Sequence, residues 1–276
     1  MPGEWLSSWL SSLSVPVIGI GSFALMLLTA AGGQLLRRRQ DRRAKRAERE
    51  SEPSIAQEGY LLGGVLGLLA LMLAFTFGMA LNRYEARRQL VTQEANAIGT
   101  AYLRAQLLDE PYRGSLSKLL VVYTENRIRL ATTDAGGGPA LARNDRLLTE
   151  IWAAVKASRE SAAAHGLTTA LLDAYNEVIN VDTERKVAWD LRIPVEVLFL
   201  VIVYLAVTAA LAGHQVDGPR GKRAALVMFL LVSLSLSFIA DLNRPMSGRA
   251  RESQAAMIML LASLKAQPPS VFDRVP

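Results

Sequence analysis

Cysteine is absent from the 276-residue chain, and histidine occurs only twice, at His165 and His214. The lack of cysteine excludes disulfide bonds, cysteine-based zinc sites and thiol nucleophiles. No Gly-rich loop has the spacing that cradles phosphate, no His-Glu-x-x-His pair occurs, and no serine has a plausible histidine base. We therefore expect no enzymatic activity, no metal site and no cofactor.

Charged residues are also missing from four long runs of the sequence, apart from Glu196 at the start of the third. The runs are residues 15–36, 60–81, 193–213 and 224–240. A helix that crosses a bilayer needs about 20 apolar residues and is apolar on all sides. No stretch shows the alternation of a β-strand. The sequence therefore predicts an all-α integral membrane protein with four transmembrane helices.

These runs divide the chain into eight segments. The transmembrane segments are 1–36, which includes the N-terminal residues, 60–81, 193–213 and 224–242. Between them lie a basic cytoplasmic loop at 37–59, an extramembrane domain at 82–192 and a short basic loop at 214–223. A helical tail at 243–276 completes the chain.

Both short loops are rich in basic residues. The first holds Arg37, Arg38, Arg39, Arg42, Arg43, Lys45, Arg46 and Arg49, and the second holds Arg220, Lys222 and Arg223. Short basic loops stay in the cytoplasm, so the charge pattern predicts that both termini and residues 82–192 lie outside it. Contact between the first loop and anionic lipids is compatible with this role. Nucleic acid is not expected as a partner.

Residues 82–192 read as helical. The stretch 82–108 has no proline, so it continues the second span as one helix over 60–108, about 70 Å long, that ends by Pro111. Further helices are predicted near 115–132, 142–164 and 167–191, with a loop at 134–139 and a joint at Gly166.

The second span carries two features that admit a structural or a functional interpretation. Small residues at helical spacing either pack closely against another helix or face a pore; they are Gly63, Gly67, Ala70, Ala74 and Gly78. Beside them lie Phe75, Thr76 and Phe77. The bulky rings either face lipid and neighbouring helices or form a constriction that gates by dewetting.

The residues after the second span admit the same two interpretations. Three arginines are either interfacial anchors or the border of a positive vestibule that concentrates anions: Arg83, Arg87 and Arg88. An uncharged polar face is either solvated surface or pore lining: Gln89, Thr92, Asn96 and Thr100. After the fourth span, the spacing of Asp241 and Arg244 allows a local ion pair, a gate or a ligand contact.

Two segments resemble a known family. FTFGMALNRYEARRQLVTQEANAIGTAYLRAQLL, at 75–108, resembles the hallmark of the bestrophin-like proteins of bacteria. ADLNRPMSGRARESQ, at 240–254, resembles their second hallmark and contains Asp241, Asn243, Arg244 and Pro245. A remote similarity to bestrophins implies a pentameric anion channel whose second span lines the neck. Phe75, Thr76 and Phe77 would then form the neck, and the three arginines would border the vestibule.

The chain departs from bestrophins in two respects. Residues after the fourth span lack the acidic cluster that holds calcium in animal bestrophins, so calcium gating is not expected. Bestrophins keep their large domain in the cytoplasm, whereas the basic loop at 37–59 favours the opposite orientation. We predict a homo-oligomeric, passive, anion-permeable channel in the cell (inner) membrane, with lipids and permeant anions as partners. The alternative is a non-conducting membrane scaffold or sensor whose helical domain binds a protein.

Overall fold

The computed structural model describes residues 14–46, 55–132, 138–216, 218–245 and 250–273. The described residues form helices joined by short connections, and they include no strand. The helices are α1 (Val15–Arg46), α2 (Ile55–Ala105), α3 (Tyr112–Thr132), α4 (Gly138–Ala157), α5 (Arg159–Ala164), α6 (Thr168–Asp190), α7 (Val195–Gln215), α8 (Gly218–Leu242), α9 (Ala255–Ala266) and α10 (Pro269–Phe272). The predicted all-α class is confirmed.

Four of these helices, α1, α2, α7 and α8, contain stretches long and apolar enough to cross a membrane. The helices extend beyond the apolar runs, because backbone hydrogen bonding continues into polar sequence that water can solvate. Helix α1 runs on to Arg46 and α8 begins at Gly218. Much of the basic sequence that we expected in loops therefore lies on the ends of helices.

Helix α2 is a single helix of 51 residues. Its length confirms the prediction that the second span continues without a break into polar sequence. It ends at Ala105, six residues before Pro111, and a short turn fills the interval. The joint at Gly166 is also confirmed, since this residue adopts a positive φ of 67° that favours glycine. The loop expected at 134–139 lies largely outside the described residues, and α4 already begins at Gly138.

The chain separates into two compact units. The membrane unit comprises Met1–Asn82, Arg192–Arg244 and Gly248–Ala250, and the helical unit comprises Arg83–Leu191, Pro245–Ser247 and Arg251–Pro276. The core of the membrane unit includes Met26, Leu69, Val201, Leu205 and Phe229. Apolar side chains of four helices thus meet in one cluster.

Glycine permits very close packing between α1 and α7. A Cβ atom added to Gly33 would lie 2.0 Å from the carbonyl oxygen of Ala210, and one added to Gly213 would lie 1.9 Å from that of Ala30. No side chain fits at those distances, so both positions require glycine for this contact. This close glycine contact between α1 and α7 was not predicted from the sequence.

The helical unit has its own core. Its apolar centre is formed by residues of α2 to α6 and α9, which include Ile98, Leu120, Ile151, Tyr175 and Met257. These residues are all close to fully buried. The C-terminal segment, expected only as a helical tail, contributes α9 to this core.

Candidate functional site

Helix α2 has one buried and one exposed side along its whole described length. Leu69, Thr76 and Ala80 are buried in the membrane unit, and Val91 and Ile98 are buried in the helical unit. These positions follow the helical repeat, so they lie along one side. The opposite side is left exposed by the residues that the structure describes, and it carries most of the residues that the sequence singled out.

The row of small residues lies on this exposed side. Gly63, Gly67, Ala70 and Ala74 are exposed and Gly78 is half-buried. A Cβ atom added to any of the three glycines would meet nothing within 4 Å. Among the described residues of one chain, no other helix therefore packs against these glycines. Their predicted packing role remains a prediction, and it requires a second copy or another partner.

The three expected neck residues do not share one side of α2. Thr76 is buried within the membrane unit and donates a hydrogen bond of 2.7 Å to the carbonyl oxygen of Met72. Phe75 is exposed, and the exposed ring of Phe77 stacks on Phe238 with 6.0 Å between ring centroids. Consecutive helical residues are rotated by about 100°. Thr76 is therefore buried within this chain, and the neck stays a prediction that the two exposed phenylalanines fit better.

The three arginines also separate. Arg87 is 2% exposed and forms an ion pair with Glu252, so it is not a free vestibule cation. Arg88 is exposed, and its guanidinium lies 3.6 Å from the carboxylate of Glu85 one turn earlier. Arg83 is half-buried. The vestibule role of these residues stays a prediction, which the exposed Arg88 and the half-buried Arg83 fit better than the buried Arg87.

The uncharged polar face is exposed, as predicted for a lining or a solvated surface. Gln89, Thr92, Asn96 and Thr100 are all exposed. Thr92 follows Ala74 by eighteen residues, and Asn96 follows Gly78 by the same interval, which corresponds to about five helical turns. The small residues and the polar residues therefore continue one another along the same side of a single helix.

A buried ionic network occupies the helical unit, and sequence reasoning missed it. Glu94 on α2 is fully buried, and its carboxylate lies 2.7 Å from Arg127 Nε and also pairs with Arg185. Asp182 on α6 lies 3.0 Å from Arg127 and 2.7 Å from Lys186 Nζ. Two buried carboxylates are thus shared among three cations, which offsets the cost of removing these charges from water.

Neutral groups complete the network. The Tyr123 hydroxyl lies 2.9 Å from Glu94 Oε1 and 3.2 Å from Asp182 Oδ1, and Asn144 donates to Asp182 at 2.9 Å. Burial, with the nearby Glu94 carboxylate, raises the pKa of Tyr123 well above its usual range. The hydroxyl therefore keeps its proton and acts as a donor. The guanidinium of Arg127 also lies 5.3 Å from the ring centre of Trp189.

One signal in the sequence could have revealed this network. Glu94 stands at the spacing of the buried apolar residues Val91, Ala95 and Ile98, where a charge needs an internal partner. Which cation it meets follows from the packing of α3 and α6 and not from local spacing. The network joins α2, α3, α4 and α6 through buried charges, so it ties four helices of this unit together.

The residues after the fourth span hold chain segments in place. The carboxylate of Asp241 accepts a hydrogen bond of 3.0 Å from the backbone N–H of Ala250. Asn243 Oδ1 accepts one of 3.0 Å from the N–H of Ile193, before α7. Burial, with the nearby Arg192, lowers the pKa of Arg244, and Asp241 acts in the opposite direction. Asp241 and Arg244 thus interact electrostatically, whereas the part of this motif at 246–249 lies outside the described residues.

Within the described ranges, no group of three or more His, Cys, Asp or Glu side chains could hold a metal ion. Four apolar helices with a helical unit that has its own core define an all-α membrane protein. A family model described as the Bestrophin-like domain matches residues 24–257, so the chain belongs to the bestrophin-like family. No curated protein and no solved structure matches the chain.

Proposed function

We propose that the protein is a homo-oligomeric, passive ion channel that prefers anions, in which one α2 helix from each copy lines the pore. Membership of the bestrophin-like family supports the channel class, since bestrophins are anion channels. The observation that carries the assignment of α2 is its uncovered side, which passes from small residues to uncharged polar ones. We also propose that the chain lies in the inner membrane and crosses it several times.

The gradation along α2 suits passive conduction. Small residues such as Gly67 and Ala74 allow several copies of the helix to approach a common axis. The rings of Phe75 and Phe77 would narrow the path near the end of the span and supply an apolar barrier. Thr92 and Asn96 would then offer neutral hydrogen-bonding groups to a hydrated ion.

The charges near the end of the span give a modest anion preference. Arg88 is exposed and would raise the local anion concentration, but Glu85 lies 3.6 Å away and reduces its field. Arg87 contributes little, because its charge is matched by Glu252. We therefore expect anions to be preferred over cations without strict exclusion, and the preference to weaken as salt screens these charges.

The absence of cysteine makes a direct test available. Single cysteines introduced as Ala74→Cys and Thr92→Cys should react with a charged methanethiosulfonate reagent and lose current in planar bilayers. Thr76→Cys is the matched control on the buried side and should keep its current. Thr149→Cys, on an exposed position of α4, should react without any effect on current.

Two results would contradict the proposal. Full current after complete labelling at Ala74 and Thr92 would remove α2 from the pore lining. A particle that is a monomer or a dimer and is silent in every salt would support the non-conducting scaffold or sensor instead. Reversal potentials in asymmetric chloride measure the ion preference, and a pure cation preference would contradict that part alone.

A further inference from the structure

An apolar groove of about 220 Å³ lies on the membrane unit between α1, α7 and α8. It is separate from the exposed side of α2 and from the ionic network of the helical unit. The residues that matter for its chemistry are Leu27, Ala31, Gln34, Lys222, Ala225 and Phe229. Leu27 and Ala31 are exposed at its edge, and Phe229 is 3% exposed at its base.

The groove has an apolar end and a polar end. On α1 it runs from Leu27 to Gln34, seven residues or about 10 Å along the helix axis. On α8 it runs from Phe229 back to Lys222. Gln34 and Lys222 both lie toward the ends of their helices that carry the basic residues. The groove is therefore polar near the basic ends of α1 and α8 and apolar toward the middle of these helices.

The surface around the polar end is strongly cationic. Arg38 lies one turn beyond Gln34 on the same side of α1, and Arg220 and Arg223 flank Lys222 on α8. Across the part of the chain that the structure describes, no carboxylate forms an ion pair with Lys222 or Arg38. The described acid on the end of α1 is Asp41, which leaves a net positive charge there.

We propose that this groove binds an acyl chain of an anionic phospholipid, whose phosphate contacts Lys222 with Arg38 beside it. The walls belong to helices that are apolar enough to cross a membrane, so an acyl chain matches them where a water-soluble ligand does not. The cations select among lipids, because each basic residue near the surface favours an anionic headgroup. This inference does not depend on whether the protein conducts ions.

Lipid binding to the full-length protein in detergent can be counted by native mass spectrometry. The probes are dioleoyl phosphatidylglycerol, dioleoyl phosphatidylcholine and inorganic phosphate. Wild-type protein should bind the anionic lipid more tightly than the zwitterionic one. Lys222→Gln should weaken binding of the anionic lipid about fivefold and leave the zwitterionic lipid unchanged. Lys156→Gln removes an exposed cation from α4 and should change neither.

The contribution of the groove is tested by filling it. Ala31→Trp places a large ring at an exposed edge position, and it should reduce the number of tightly bound lipids of both kinds. An unchanged count for this variant, or unchanged anionic-lipid affinity in Lys222→Gln, would overturn the proposal. Competition by millimolar inorganic phosphate would also overturn it, because the site would then bind a free anion. Failure of these tests leaves the pore assignment of α2 untouched.

Discussion

Replacement of Glu94 by glutamine provides a stringent test of the ionic network in the helical unit. The substitution keeps the side chain's shape and removes its charge. At 2.7 Å from Arg127 Nε, and with an effective dielectric constant of about 20, a full charge pair is worth about 6 kcal/mol before desolvation. Glu94→Gln leaves Arg127 buried with Asp182 as its carboxylate partner, and it removes the carboxylate that pairs with the buried Arg185.

Removal of one partner of a buried ion pair typically costs about 3–5 kcal/mol, because the remaining charge is left uncompensated. For a chain of this size that corresponds to a fall in Tm of roughly 6–20 °C. Thermal unfolding of the full-length protein in detergent, followed by helical circular dichroism, measures the change. Glu85→Gln is the matched control on the same helix, where the pair with Arg88 is exposed, and it should cost less than about 1 kcal/mol.

A double variant separates the electrostatic cause from a packing cause. Glu94→Gln combined with Arg127→Met removes one charge of each sign, so it should lose clearly less stability than the sum of the two single variants. The reasoning would be refuted if Glu94→Gln cost no more than Glu85→Gln. Strict additivity in the double variant would show that the two side chains contribute independently.

Two further predictions concern other parts of the chain. Gly213→Ala should destabilise the protein, because its Cβ would lie 1.9 Å from the Ala30 carbonyl oxygen. Overpacking a core typically costs about 1–3 kcal/mol, and we expect a loss of stability at least that large. Gly32→Ala on α1, whose added Cβ meets nothing within 4 Å, should be neutral or stabilising, and equal effects in a thermal melt would contradict the close contact. A hydrogen bond from Ser161 lowers the pKa of Asp109 below 3.8, so its ionised form stabilises the fold above that pH. That contribution is lost as the pH falls through the lowered pKa, and Asp109→Asn should have a flatter acid-unfolding profile than the wild type.

The four apolar helices and the continuous α2 could be predicted because both depend on local sequence. Uncharged runs such as 60–81 are stable in hydrocarbon on any side, so their membrane location needs no knowledge of their neighbours. The helix continues through Asn82 because no proline or glycine pair interrupts backbone hydrogen bonding there. Helix ends were less predictable, as the extension of α1 to Arg46 shows.

The partners of individual side chains could not be predicted. Arg83, Arg87 and Arg88 look alike in sequence, yet Arg87 alone is buried against Glu252, which lies 165 residues away. Similarly, the sequence shows one motif of three neighbours, Phe75, Thr76 and Phe77. The rotation of about 100° per helical residue places Thr76 on the side that is buried within the membrane unit. Spacing along one helix shows which residues share a side, and it does not show which side another segment covers.

The amino-acid sequence by itself determined that this chain is helical, enters the membrane and has one long helix with a side of small and polar residues. These properties follow from hydropathy and from backbone propensity, which act within a single segment. Only the tertiary structure decided that α1 and α7 make the tight glycine contact and that Glu94 meets Arg127 and Arg185. It also decided that the described residues leave one side of α2 exposed. Those outcomes depend on which distant segments pack together, because burial and charge pairing are energies of contact between segments.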